Sequence, residues 1–235
     1  MYSIKEAHYK FKQHANKVDG LRNANFLIPQ IDEYIFEAYI IYVENICEQL
    51  ELNQKRRDDI RQLEIKDLEL PVIKVTDEYY TANLPLDYYR YLESYSLCKN
   101  EKCENKKKIK NYIVQKDDIY VNDPMFNSSF TFERVNLDLS GNKLYLYYED
   151  FDIEKVFLTY IRKPLRPGNP QDFLNGGGTY NLPDGTPAVQ RDIEIDSTFQ
   201  ANKIIDIAVL IAMRDVGNTI DFESQLNKIL NISKI

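Results

Sequence analysis

Residues 142–164 read NKLYLYYEDFDIEKVFLTYIRKP. Two runs in this stretch, 143–149 and 155–162, are packed with Tyr, Leu, Val, Ile, Phe and Thr, the residues that fit a pleated, half-buried surface. The acidic residues 150–154 separate them, and the pattern predicts a β-hairpin. Side chains alternate across a strand, so Leu144, Leu146 and Tyr148 share one face and Tyr145 and Tyr147 the other. Both faces are apolar enough to be at least partly covered. Pro164 cannot donate to a ladder and ends the second strand.

Working outward from this hairpin, 135–139 pairs with the first run through Ser140, Gly141 and Asn142, of which the Gly and Asn supply the positive φ of a tight turn. Further upstream, 68–76, 79–84, 91–98 and 107–115 read as strands, with a polar loop over 99–106. A single helical turn over 116–120, a turn at 122–124 and a loop over 127–132 complete the middle of the chain. The first 66 residues are helical in pattern. Ile31, Tyr34, Ile35, Ala38, Ile41, Tyr42 and Ile46 recur at helical spacing behind Pro29, which suits a first helical turn. A thinner helix over 4–17 precedes this one, a polar stretch over 19–25 leads into it, and a charge-dense helix over 52–62 follows it.

Downstream of the hairpin, 164–189 lacks periodicity and carries Pro164, Pro167, Pro170, Pro183 and Pro187 together with Gly176, Gly177 and Gly178. A loop of this length in a compact domain is usually functional or ordered by a partner. Residues 191–196 follow as a short strand. Ser197 with Gln200 three residues on forms a capping-box pattern that opens a helix to about residue 216. Gly217 stops it, and 220–232 forms a last helix. The order predicts an α+β protein. Its parts are an N-terminal helical pair (1–66), a central antiparallel β body (67–163), a long Pro/Gly-rich loop with a short strand (164–196), and C-terminal helices (197–235) that pack with the N-terminal ones.

A chain of 235 residues can bury a sizeable core and is expected to form one body with appendages. Lys and Arg number 30 against 37 Asp and Glu, a net charge of −7, which argues against a dedicated nucleic-acid binder. Three cysteines, Cys47, Cys98 and Cys103, have no metal-type spacing, and a reduced, intracellular site of synthesis is expected. No run reaches the ~18 apolar residues of a membrane span. The 18 tyrosines, with no tryptophan, suit surfaces that become buried against another protein; an AT-rich genome would give the same bias.

Catalytic chemistry finds few carriers. The two histidines, His8 and His14, lie on the first helix with no partner in view. Asp192, Glu194 and Asp196 alternate, which predicts three carboxylates on one strand face, either solvated or able to take a divalent cation. Glu64 and Lys66 stand two apart, a spacing found in many strands. The Gly triplet lacks the Lys-Ser/Thr ending of a phosphate loop. Six lysines in 99–110 outweigh Glu101 and Glu104 and leave +4, a solvated loop or a phosphate-facing tip. Cys98 and Cys103 flank that loop as a reduced pair. No catalytic, cofactor-binding or metal-ligating set is expected.

Three stretches carry a resemblance. They are IPQIDEYIFEAYIIYVENI followed by EQLELNQKRRDDIRQL; LPLDYYRYLESYSLC followed by KDDIYVNDPMFNSS; and NKLYLYY, VFLTYIRKP and DIEIDSTFQANKIIDIAVLIAMRDVG. Together they span most of the chain and resemble the neck, or ring, proteins of tailed bacteriophages, in particular those of the crAss-like podoviruses. The resemblance implies a non-enzymatic virion protein, made in the host cytoplasm, that needs no cofactor and touches no membrane. It implies a closed homo-oligomeric ring, twelvefold like the portal, that binds the portal protein and other neck or tail rings and surrounds the DNA channel with only transient, non-specific proximity to DNA. Candidate interface residues are then Tyr145 and Tyr147 on the strand, Pro167, Pro170, Gly176, Gly177 and Gly178 in the loop, and Phe199 on the following helix. The alternatives are a β-sandwich binding module for host glycan or tail-fibre attachment, and a metal-dependent hydrolase using Asp192, Glu194 and Asp196.

Overall fold

A computed structural model describes residues 1–18, 25–49, 54–100, 103–115, 127–173, 179–216 and 222–231. The helical turn expected over 116–120, the turn at 122–124, the three consecutive glycines and the Gly217 stop lie outside the described residues. Helices and an eight-stranded sheet give the α+β class expected from the sequence. The chain divides into two compact units, Glu64–Lys163 and the combination of Met1–Leu63 with Pro164–Ile235.

The first of these is the sheet unit. Its strands are β1 (Glu64–Pro71), β2 (Ile73–Lys74), β3 (Tyr79–Asn83), β4 (Tyr88–Asn100), β5 (Cys103–Ile113), β6 (Arg134–Ser140), β7 (Lys143–Tyr147) and β8 (Asp152–Arg162). They lie in the order β1-β8-β4-β5-β6-β7-β3-β2. All neighbours are antiparallel except β5 and β6, so the sheet is mixed where an antiparallel body was expected. Only Val72 separates β1 from β2, yet these are the two edge strands. The sheet must therefore curl until its edges meet, as in a barrel.

Alternation within β7 is as read, with Leu144 and Leu146 fully buried and Tyr145 and Tyr147 half-exposed. Burying each leucine stabilises the fold by about 1.5–3 kcal/mol. The expected hairpin does not form. β7 pairs with β3 and β6, β8 pairs with β1 and β4, and three strands stand between them. The cause lies in the connection. Tyr148 and Phe151 turn inward and pack with Tyr80 and Phe130, at ring centroid distances of 4.8 Å for Tyr80–Tyr148 and 6.3 Å for Phe130–Phe151. Two aromatic anchors in the core carry the chain across one end of the sheet, where a tight reversal would have exposed them.

The expected strand over 68–76 splits into the edge strands β1 and β2, and most of the expected loop over 99–106 belongs to β4 and β5. The β6–β7 turn is as read, with Gly141 at φ 59°. Inside the sheet, Ser94, Ser96 and Asn111 are buried and bond to one another: Ser96 Oγ donates to Asn111 Oδ1 at 2.7 Å, and Asn111 Nδ2 donates to Ser94 Oγ at 2.8 Å. Each buried polar group thereby has a partner.

The helical unit contains α1 (Ile4–Val18), α2 (Ile28–Gln49), α3 (Gln54–Asp59), α4 (Thr198–Asp215) and α5 (Phe222–Asn231). α4 is buried nearly all round and packs against α1, α2 and α5, with Ile204, Ile205, Ala208, Ile211 and Ala212 wholly inaccessible. The capping box is not realised. Ser197 makes no side-chain cap bond, and Gln200 instead donates to Asp59 Oδ1 at 2.6 Å. Between the helices, the expected strand over 191–196 forms only isolated bridges, Gly168 with Arg191 and Tyr2 with Ile193. Among the described residues no helix is long and apolar enough to cross a membrane.

Candidate functional site

Two adjacent acids on the first turn and a half of α2 organise the proline-rich segment of the helical unit. Asp32 is 1% exposed. Its Oδ1 lies 2.7 Å from His8 Nε2, and its Oδ2 accepts both the Asn169 backbone N–H at 2.9 Å and the Tyr180 hydroxyl. The neighbouring Glu33 pairs with Arg166, whose guanidinium lies over the Phe36 ring at 5.1 Å. Burial, reinforced by the hydrogen bond to Asp32, pushes the Tyr180 phenol above its ordinary pKa. The amide of Asn169 holds the Asp172 carboxyl below its ordinary pKa, with Lys5 adding to the effect.

Each histidine thus has a carboxylate partner, contrary to the sequence reading: His8 bonds Asp32, and His14 Nδ1 lies 2.8 Å from Asp206. A His–Asp pair is half of a nucleophilic system and still needs a hydroxyl or thiol on the second imidazole nitrogen. Among the described residues no Ser or Cys is bonded to His8. With three donors on one buried carboxylate, the group acts as a latch between α1, α2 and the segment around Asn169 and Tyr180.

The three alternating acids are not gathered into one set, and each is taken up by a donor of its own. Asp192 accepts the Ile4 N–H at 2.9 Å, Glu194 accepts the Leu165 N–H at 3.1 Å, and Asp196 takes the N-terminal amine at 2.6 Å and the Gln62 amide. An irregular backbone cannot keep the alternation a strand would impose, so each carboxylate finds its own donor. Among the described residues no group of three or more His, Cys, Asp or Glu is placed to hold a metal ion.

The segment also encloses a cavity of about 350 Å³, lined by Pro167, Gly168, Leu182, Pro187, Val189 and others, with Arg166 and Arg191 on its wall. Residues 180–189 double back on themselves through a bridge between Asn181 and Pro187, and Asp184 Oδ1 accepts from both the N–H and the hydroxyl of Thr186. Gly168 allows the close approach that closes this wall, because a Cβ there would stand 2.9 Å from the Val189 carbonyl oxygen.

In the sheet unit, Tyr145 and Tyr147 lie beside Tyr79 on the outer face, with ring centroids 5.6 and 6.0 Å from it. A cleft of about 430 Å³ next to them is lined by Asp77, Glu78, Asn127, Asn136, Tyr147 and Glu149 among others. The described lysines of 99–110 stand along strands: Lys106 pairs with Glu154 at 2.6 Å, Lys107 with Glu133 at 3.1 Å and Lys108 with Asp67 at 3.2 Å. Cys98 is buried and not in a disulfide, and burial pushes its thiol up to about 12.

Of the remaining candidate interface residues, Phe199 is 58% exposed, whereas Pro167 and Pro170 are buried within the subunit. Gly176, Gly177 and Gly178 lie outside the described residues. The sequence reading missed Asp32, Arg166, Tyr180 and Arg191. A signal for the first existed, since Asp32 falls on the buried stripe of Ile35, Tyr39 and Ile46, and His8 on that of Ile4, Phe11 and Ala15. A charged residue on an apolar stripe needs a buried partner. Compared with models of known protein families and with curated proteins, the sequence matches none.

Proposed function

We propose that the chain is a structural ring protein of a tailed-phage head–tail junction, which assembles with copies of itself on the portal and surrounds the DNA channel. The resemblance of residues 26–63, of 84–98 with 116–129, and of 142–148, 156–164 and 192–217 to the neck proteins of crAss-like podoviruses supplies the class. The observation that carries it further is the distribution of polar groups. The buried Asp32 carboxylate and Asn111 amide are taken up by internal bonds, while chemistry remains available at the surface in an arginine-lined cavity, an acidic cleft and a tyrosine patch. Such surfaces suit contacts between protein subunits.

Lys106, Lys107 and Lys108 are each matched to an acid on the same unit, so they form no phosphate-gripping surface, and in this reading they face solvent or a neighbouring protein away from the DNA. Mass photometry of the purified protein, with and without portal protein, tests the proposal. Closed oligomers support it, and a monomer indifferent to portal protein refutes it.

A second reading rests on the acidic cleft. Tyr147 with Asn127, Asn136, Asp77 and Glu78 offers an aromatic face ringed by amides and carboxylates, a chemistry that suits a sugar. Saturable binding of a host glycan, lost in Tyr147→Ala, would favour an attachment module over a ring.

A further inference from the structure

The cavity of the helical unit combines apolar walls with two guanidinium groups, and the two are not equivalent. Arg166 is held by Glu33 and the Phe36 ring, and its Nε–H is buried without an acceptor. Arg191 is half-buried, lines the same cavity, and has no carboxylate partner among the described residues. In a chain of net charge −7, a guanidinium beside an apolar cavity with no acid of its own is a place built for an anion from elsewhere. A volume of about 350 Å³ takes one or two side chains.

The same chain carries a group of matching chemistry. Glu149 and Asp150 stand exposed in the connection between β7 and β8, and neither has an ion-pair partner among the described residues. Tyr148 and Phe151 on either side are anchored in the core, so the two carboxylates are presented on a fixed turn. Little conformational freedom is lost when such a turn docks.

We propose that the cavity around Arg191 receives the Glu149–Asp150 turn of a second copy of this chain. The contact is heterologous, one face of each copy against a different face of the next, which is the kind that closes into a ring when the rotation permits. The proposal rests on the ring reading and names the contact that would propagate it.

The test uses two variants of the full chain, Arg191→Glu and the double change Glu149→Arg with Asp150→Arg, each checked for native circular dichroism, with Arg191→Gln as the milder form. Sedimentation velocity is run on each alone, on their equimolar mixture, and on the chain carrying all three changes. Each variant alone is expected to lose self-association by at least ~30-fold, the cost of breaking one charged contact at an interface. The mixture is expected to regain assembly with the two variants alternating, because every turn then meets a cavity of opposite charge, the native turn in the native cavity and the reversed turn in the reversed one. The triple variant regains assembly. If Arg191→Glu assembles as the unaltered chain does, or the mixture stays monomeric, the cavity assignment is overturned while the ring reading stands. If the unaltered chain never self-associates, both fall.

Discussion

The hydroxyl of Tyr180 donates to the carboxylate of Asp32 across 148 residues of sequence. Together with the Asn169 N–H, it fastens a segment of low regular structure to α2, the longest described helix of its unit. Hydrogen bonds to charged groups contribute about 1.5–3 kcal/mol each. Tyr180→Phe is therefore expected to lower unfolding stability by about that amount in urea titration, and Asp32→Ala, which strands His8 as well, by about 3–5 kcal/mol. Hydrogen exchange at residues 165–173 and 179–191 should accelerate in both.

Gly168 faces the Val189 carbonyl so closely that a methyl group has no room, standing 2.9 Å from backbone oxygen. Overpacking of this kind costs about 1–3 kcal/mol. Gly168→Ala should lower the melting temperature and weaken the pairing of Gly168 with Arg191. Gly185→Ala meets no atom within 4 Å and carries only the strain of φ +82°, so it should cost about 1–2 kcal/mol and leave that pairing intact.

Cys98, Tyr80 and Tyr160 of the sheet unit are among the groups that hold their protons to higher pH in the folded chain. Burial raises Cys98 from 9.0 to about 12, and burial followed by hydrogen bonds to Asp152 and Asp87 raises Tyr80 and Tyr160 from 10.0 to about 12. The unfolded chain loses these protons first, so their contribution to stability is whole below pH ~9 and is lost progressively as pH rises to about 12. Denaturation midpoints should fall across that window, and Cys98→Ala should flatten the fall. At pH 8 the native protein should leave Cys98 unmodified by a thiol reagent that labels it on unfolding.

Replacing Lys106, Lys107 and Lys108 by Gln removes three exposed ion pairs worth about 0–1 kcal/mol each. Ring assembly and DNA retention in virions should be unchanged. A clear loss of packaged DNA with assembly intact would put these strands on the channel wall.

Periodicity carried local information well and pairing poorly. The two faces of β7 were legible because alternation is a property of the strand itself, and α2 was legible from its apolar stripe. The partner of β7 was not, because Tyr148 and Phe151 find their places only against Tyr80 and Phe130, residues brought in by other parts of the sheet. The lysines looked like a loop because charge outweighed β-propensity; their acids, Asp67, Glu133 and Glu154, come from three other segments. Asp192, Glu194 and Asp196 looked like a set through spacing alone, and spacing does not survive an irregular backbone. The candidate site was hidden for the same reason: His8, Asp32, Asn169 and Tyr180 meet only in three dimensions.

Electron microscopy of the negatively stained, purified protein, alone and mixed with portal protein, distinguishes a ring-forming subunit from a monomer. Closed rings with a central channel, formed by the protein itself or on the portal, are expected. A particle that stays monomeric at high concentration and also fails to bind portal protein would contradict the ring reading.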